Sequence, residues 1–140
     1  MAQLIEFAGN HLMLVTAFVV VSLLLLQNLA ADAGGKGSVD PQQATNLINR
    51  QDAVVVDVRP MADFASGHII NAINIPINSL DKQMGQLEKH KARPIIVNCR
   101  SGATSQMACR QLRKSGFEQV YNLRGGILAW QSANLPIRRK

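Results

Sequence analysis

Between Phe7 and Ala31 the chain carries no Asp, Glu, Lys or Arg, and within that stretch Leu12 to Leu26 (LMLVTAFVVVSLLLL) is interrupted only by Thr16 and Ser22. A helix that is apolar on every face has no side to turn to water, so this run constrains the fold more than any other feature. As one helix its twenty-five residues would extend about 37 Å at ~1.5 Å per residue, against a hydrocarbon layer of ~30 Å. A chain of 140 residues has too small a core to enclose it, so residues 1–32 are expected to be a single membrane-crossing anchor. A cleavable signal peptide is the rival reading, since Ala31-Asp32-Ala33 has the small-x-small form of a cleavage site. Its basic n-region is missing, because the first ten residues hold Glu6 and neither Lys nor Arg. All fifteen Lys and Arg follow the run, beginning with Lys36 and Arg50, which predicts that the remainder lies in the cytoplasm.

Residues 33–38 (AGGKGS) read as a flexible linker, leaving 39–140 for one globular domain. Asp40 before Pro41 has the form of an N-cap and first helical residue, followed by Ala44, Leu47 and Ile48 at helical spacing. Ala53 to Val58 and Pro94 to Asn98 are short, continuous and β-branched, as strands buried on both faces are. Shorter strands are expected at 72–76 and 119–123, and helices at 61–66, 79–90, 102–115 and from Gly125-Gly126 through Trp130. Strands alternating with helices argue for an α/β fold, a mainly parallel sheet flanked by helices. In such sheets the active site lies beyond the carboxyl ends of the strands. Cys99 is the first residue after the strand at 94–98.

The segment Cys99-Arg100-Ser101-Gly102-Ala103-Thr104 joins strand to helix, and its small residues allow successive backbone N–H groups to turn inward as an anion nest. Such a nest, with the positive end of the following helix, favours thiolate over thiol and predicts a lowered Cys99 pKa. The loop C-R-S-G-A-T resembles the active-site loop of rhodanese sulfurtransferases. So does its setting: Val55-Val56-Asp57-Val58-Arg59 resembles that family's first core strand. Gly67-His68-Ile69 with Ala72-Ile73-Asn74-Ile75-Pro76, and Gly125 to Trp130 with Leu135-Pro136, match two further family stretches in the same order. A membrane helix before one such domain is similar to small membrane-bound rhodanese-like proteins of bacteria, which implies the inner membrane.

The resemblance implies that Cys99 is the catalytic nucleophile, taking sulfane sulfur from a small anionic, thiosulfate-like donor as a persulfide and passing it to a thiol or protein acceptor. It implies no metal and no organic cofactor. Arg100 would offer charge to the donor, and Ser101, Gly102, Ala103 and Thr104 backbone N–H groups and a hydroxyl. The family often has a second arginine where Thr104 stands, though its thiosulfate-type loops also end in threonine. A non-catalytic binding module that recruits a partner to the membrane is the alternative.

Other residues narrow the chemistry. Phosphatases of related shape need an arginine where this chain has Ser105, so a bidentate phosphate grip is missing. Cys109 shares a helical face with Ala108 and Leu112 and reads as core. Trp130 also reads as core, His68 as the donor of a structural hydrogen bond, and Asp57 and Arg59 as braces between loops. The net charge of +6 is spread through the domain without interleaved aromatics, which argues against a nucleic-acid partner. Arg138-Arg139-Lys140 reads as a frayed, solvated end.

Overall fold

The computed structural model describes residues 1–33 and 37–140. It divides into two units, Met1–Lys36 and Gly37–Lys140. The middle of the expected linker, including Lys36, lies outside the described residues.

The N-terminal unit holds α1 (Ala2–Asn10) and α2 (Leu12–Ala33). The uncharged run is therefore not one continuous helix. It breaks at His11, whose φ of −125° and ψ of 44° leave the helical region just after Gly9 and Asn10, both poor helix formers. The axes of Ala2–Asn10 and Leu12–Gln27 differ by 95°. Beyond the break Thr16 returns its hydroxyl to the carbonyls of Leu12 and Met13, both at 3.0 Å. Among the described residues no single helix is long and apolar enough to cross a membrane, while the bent pair together meets that test by length and composition. Phe18, Leu23, Leu24 and Leu26 are all exposed.

In the second unit the elements are β1 (Ser38–Val39), α3 (Pro41–Gln51), β2 (Val54–Asp57), α4 (Met61–Ser66), β3 (His68–Ile69), β4 (Ile73–Asn74), α5 (Leu80–Gln83), β5 (Ile95–Asn98), α6 (Ala103–Lys114), β6 (Val120–Leu123), α7 (Gly126–Ser132) and β7 (Ile137–Arg138). Five strands form a parallel sheet in the order β1-β6-β5-β2-β4. This is the expected α/β arrangement, and the side-chain alternation explains the continuous apolar runs. Val56, Val58, Ile95 and Val97 pack into one layer with Ala108, Leu112 and Phe117. Val55 and Ile96 face the other layer, with Ala44, Ile127 and Trp130. Cys99 continues the Ile95, Val97 alternation and so belongs to the layer of α6. Asp40 caps α3 through a reciprocal box, accepting from the Gln43 N–H at 2.7 Å while the Gln43 side chain accepts from the Asp40 N–H at 3.0 Å.

Two expectations fail here. The helix expected over 79–90 is a 3-10 turn (Ile77–Ser79), the single α turn of α5 and a 3-10 helix (Met84–His90). Gly85 weakens an α-helix at its centre, and the tighter winding still buries Leu80 and Leu87 completely. The basic C-terminus is not frayed either. Ile137–Arg138 pairs antiparallel with His68–Ile69, and the Lys140 N–H donates to the Ala65 carbonyl at 3.2 Å. The two-residue strand Ser38–Val39 also takes up the last position that the sequence assigned to the linker.

Candidate active site

The loop after β5 is shaped from outside by hydrogen bonds to its carbonyls. The Ile127 N–H donates to the Cys99 carbonyl at 2.9 Å and the Leu128 N–H to the Arg100 carbonyl at 3.3 Å. The Asn122 amide donates to the Gly102 carbonyl at 3.2 Å. With these carbonyls held outward, loop N–H groups are free to turn inward. Two glycines make this approach possible. Gly102 has a φ of +101°, and Gly126 has a φ of +57° where a Cβ would overlap the Cys99 carbonyl oxygen and stand 2.6 Å from the Arg100 carbonyl carbon.

Inside the loop sits the Cys99 thiol, 3% exposed. The Gly102 N–H donates to Sγ at 3.0 Å, and Ser105 Oγ lies 3.2 Å from it. Burial pushes the thiol pKa up, but the Ser105 hydroxyl and the backbone N–H groups of Ser105, Gly102 and Ser101 outweigh it, leaving the pKa below its ordinary value. The first turn of α6 adds the positive end of its dipole. A weakly basic, hydrogen-bonded thiolate in an amide cradle can attack an electrophilic sulfur and hold the anion that forms.

The predicted loop residues divide by exposure. Gly102 is buried beside the sulfur, Arg100, Ser101 and Ala103 are exposed, and Thr104 is half-buried at the start of α6. Arg100 forms one wall of a pocket of about 210 Å³ together with Arg59, Asp63, Ser66, Gly67, Ile127, Leu128 and Gln131. Arg59 also braces the floor. Its guanidinium meets the fully buried Asp57 carboxylate at 2.7 Å and the Gly67 carbonyl at 2.7 Å, and Asn98 donates to the same carboxylate at 3.3 Å. His68 Nδ1 lies 2.7 Å from the Phe64 carbonyl and the ring stacks on Phe64 with centroids 3.8 Å apart, a structural role. Trp130 is buried and donates Nε1–H to the Pro136 carbonyl at 3.0 Å. Cys109 is core, and burial pushes its pKa to about 11.

This cradle, on this sheet, matches a known family: the model of the rhodanese-like domain fits residues 40–133. The chain belongs to the rhodanese-like family. The uncharacterized protein YibN of Escherichia coli is 38% identical to it over 141 residues, covering 99% of both chains. Thiosulfate sulfurtransferase GlpE of Vibrio cholerae is 36% identical over 99 residues, 71% of this chain and 92% of that one. The crystal structure of a rhodanese-related protein from Thermoplasma volcanium superposes with a TM-score of 0.65 at 29% identity, covering 74% of this chain and 99% of that chain. The fold and the family stand on these likenesses together.

Ser105 and Asn122 are the site residues that sequence reasoning missed. In the sequence Ser105 stands out only as the place where a phosphatase would carry arginine. A signal was present, because Ser105 precedes Ala108, Cys109 and Leu112 on one helical stripe, and all four are buried. A polar side chain on an apolar stripe needs a partner. Asn122 is likewise a polar residue within a buried strand.

Proposed function

We propose that this rhodanese-like protein is a membrane-anchored sulfurtransferase that moves sulfane sulfur from a small anionic donor of the thiosulfate type to a thiol or protein acceptor. The observation that carries the reading is the Cys99 sulfur, held at 3.0 Å from the Gly102 N–H inside a loop whose carbonyls face outward. The Cys99 thiolate attacks the outer sulfur of thiosulfate, the donor S–S bond breaks, and sulfite leaves with the bonding pair. The negative charge then rests on the outer sulfur of a Cys99 persulfide, within reach of the cradle N–H groups. An acceptor nucleophile next attacks that outer sulfur, and the electron pair of the broken bond returns to Sγ. Arg100, exposed beside the pocket, attracts the anionic donor, and Ala103 and Thr104 add the N–H groups of the helix start.

Thiocyanate formation from thiosulfate and cyanide by the full chain in detergent micelles tests the chemistry. Activity is expected to vanish in Cys99→Ser and to persist in Cys109→Ser. Retained activity in the first variant would refute the assignment, and an unmodified mass for wild-type chain treated with thiosulfate would favour a binding module.

The apolar N-terminal unit supports an inner-membrane anchor, and Lys36 and Arg50 after the run, with no Lys or Arg before it, support a cytoplasmic second unit. A compartment-sensitive reporter fused after Lys140 should be active in the cytoplasm. Activity in the periplasm would overturn that orientation.

A further inference from the structure

Behind the loop, Ser105 and Asn122 form a hydrogen-bonded pair whose direction is fixed at one end. A carbonyl oxygen accepts only, so the contact between the Asn122 amide and the Gly102 carbonyl identifies the nitrogen end of that amide. Asn122 Oδ1 is thereby turned to Ser105 Oγ, with which it is hydrogen-bonded. An amide oxygen also accepts only, so the single Ser105 hydroxyl proton points at Asn122. What Ser105 presents to Cys99 Sγ, 3.2 Å away, is a lone pair. This geometry suits the neutral thiol, whose S–H donates to Ser105. A thiolate can only accept, and Sγ would then face a lone pair unless the hydroxyl proton rotates from Asn122 to the sulfur. Ser105 is fully buried and Asn122 nearly so, so no water competes for that proton.

We propose that Ser105, oriented by Asn122, is a positioning residue that moves its one proton between Asn122 Oδ1 and Cys99 Sγ as charge arrives at and leaves that sulfur. The proposal rests on Cys99 being the sulfur-accepting nucleophile. In the free enzyme the hydroxyl donates to the thiolate. On attack Sγ becomes a neutral sulfur bonded to carbon and to the new sulfur, the charge moves to the outer atom, and the hydroxyl turns back to Asn122. When the acceptor takes the outer sulfur, the electron pair returns to Sγ and the proton returns with it. Ser105 therefore raises the thiolate fraction for the first step and stabilises the leaving group of the second.

The ionisable groups around Sγ come from each neighbouring element. Arg100 lies on its own loop, Cys109 on α6, and the Asp57–Arg59 pair at the end of β2, while Arg113 of α6 reaches away to the Gly37 and Val120 carbonyls. Arg124 lies in the turn between β6 and α7, Tyr121 of β6 packs into the opposite layer, and α7 carries no charged side chain. None of these is altered by substitution at Ser105 or Asn122.

The test is the pH profile of alkylation by iodoacetamide, a neutral reagent, on full-length chain in detergent micelles, with the labelled cysteine located by peptide mass spectrometry. Cys109 remaining unlabelled shows that the fold is intact. Ser105→Ala should move the Cys99 profile to higher pH, slowing labelling roughly ten- to hundredfold below the midpoint, with the rates converging at alkaline pH. Asn122→Ala takes away the hydroxyl's competing acceptor and also the donor that holds the Gly102 carbonyl, so it is read with the double variant, in which that second loss is common. Removing the Ser105 hydroxyl should shift the profile further in the Asn122→Ala background than in the wild type. An equal or smaller shift in that background, or a uniform loss at every pH in Ser105→Ala, would overturn the proposal and reduce the pair to a structural support. The larger shift in a protein that takes up no sulfur from thiosulfate would instead sink the sulfur-transfer reading and leave the hydroxyl switch standing.

Discussion

The two cysteines of this chain lie in one hydrophobic layer, 3% and 2% exposed, yet they are opposite kinds of thiol. Burial pushes the pKa of each upward. At Cys109 little opposes it. The thiol sits midway along α6 among Val56, Val97 and Leu112, Arg113 lowers its pKa somewhat, the charge of Cys99 raises it, and the result is about 11. At Cys99 the Ser105 side chain and the backbone N–H groups of Ser105, Gly102 and Ser101 oppose burial from a loop pinned from behind, and the direction reverses. Desolvation is thus not what makes a cysteine reactive. It raises the worth of whatever hydrogen bonds reach the sulfur, and only the loop supplies them.

The largest expected effect comes from removing the pin. Gly126→Ala places a Cβ against the Cys99 carbonyl and requires an alanine at a φ of +57°, so α7 or the loop has to withdraw. Losing the carbonyl contacts releases the N–H groups from the sulfur, and Cys99 should then behave as Cys109 does. Its alkylation at neutral pH is expected to fall by roughly a hundredfold or more, the worth of two or more hydrogen bonds to a charged group. A stability loss of about 1–3 kcal/mol, read from the urea midpoint, should accompany it. Unchanged Cys99 labelling in a folded variant would show that the cradle does not need its outer carbonyl contacts.

Much of this contrast is legible in the sequence. The β-branched runs at 53–58 and 94–98 gave two central strands, and a cysteine at the carboxyl end of one, followed by small residues and a helix, marked the loop. Cys109 was separable by its helical stripe. What stayed hidden was tertiary. Ser105 and Asn122 are 17 residues apart and meet only because β6 lies beside β5, a neighbour relation that no local pattern encodes. The antiparallel pair of Ile69 with Ile137 escaped because two-residue strands have no period to read. The break at His11 escaped because the hydropathy of the run continues through it while the backbone does not.

A smaller effect separates the cysteines by the sign of their pH linkage. Cys109 has a folded pKa of about 11 against an ordinary value of 9.0, so its neutral thiol stabilises the native state fully below pH 9.0. That contribution is lost as pH rises through about 11, because the unfolded chain ionises first. A gap of this size corresponds to about 2–3 kcal/mol. Cys99 has its pKa lowered, so its contribution has the opposite sign, present above the unfolded thiol pKa and lost as pH falls through the folded one. Urea unfolding of wild type and Cys109→Ala across the alkaline range isolates the first of these. The cavity left by the substitution costs the same at every pH and cancels from the slope, as do the lysines and the tyrosine common to both chains. Wild type should lose stability faster than the variant between pH 9.0 and about 11, and the gap between the curves should narrow by that amount. Parallel curves would mean that Cys109 ionises as readily folded as unfolded, and the difference between the two thiols would then rest on the loop alone.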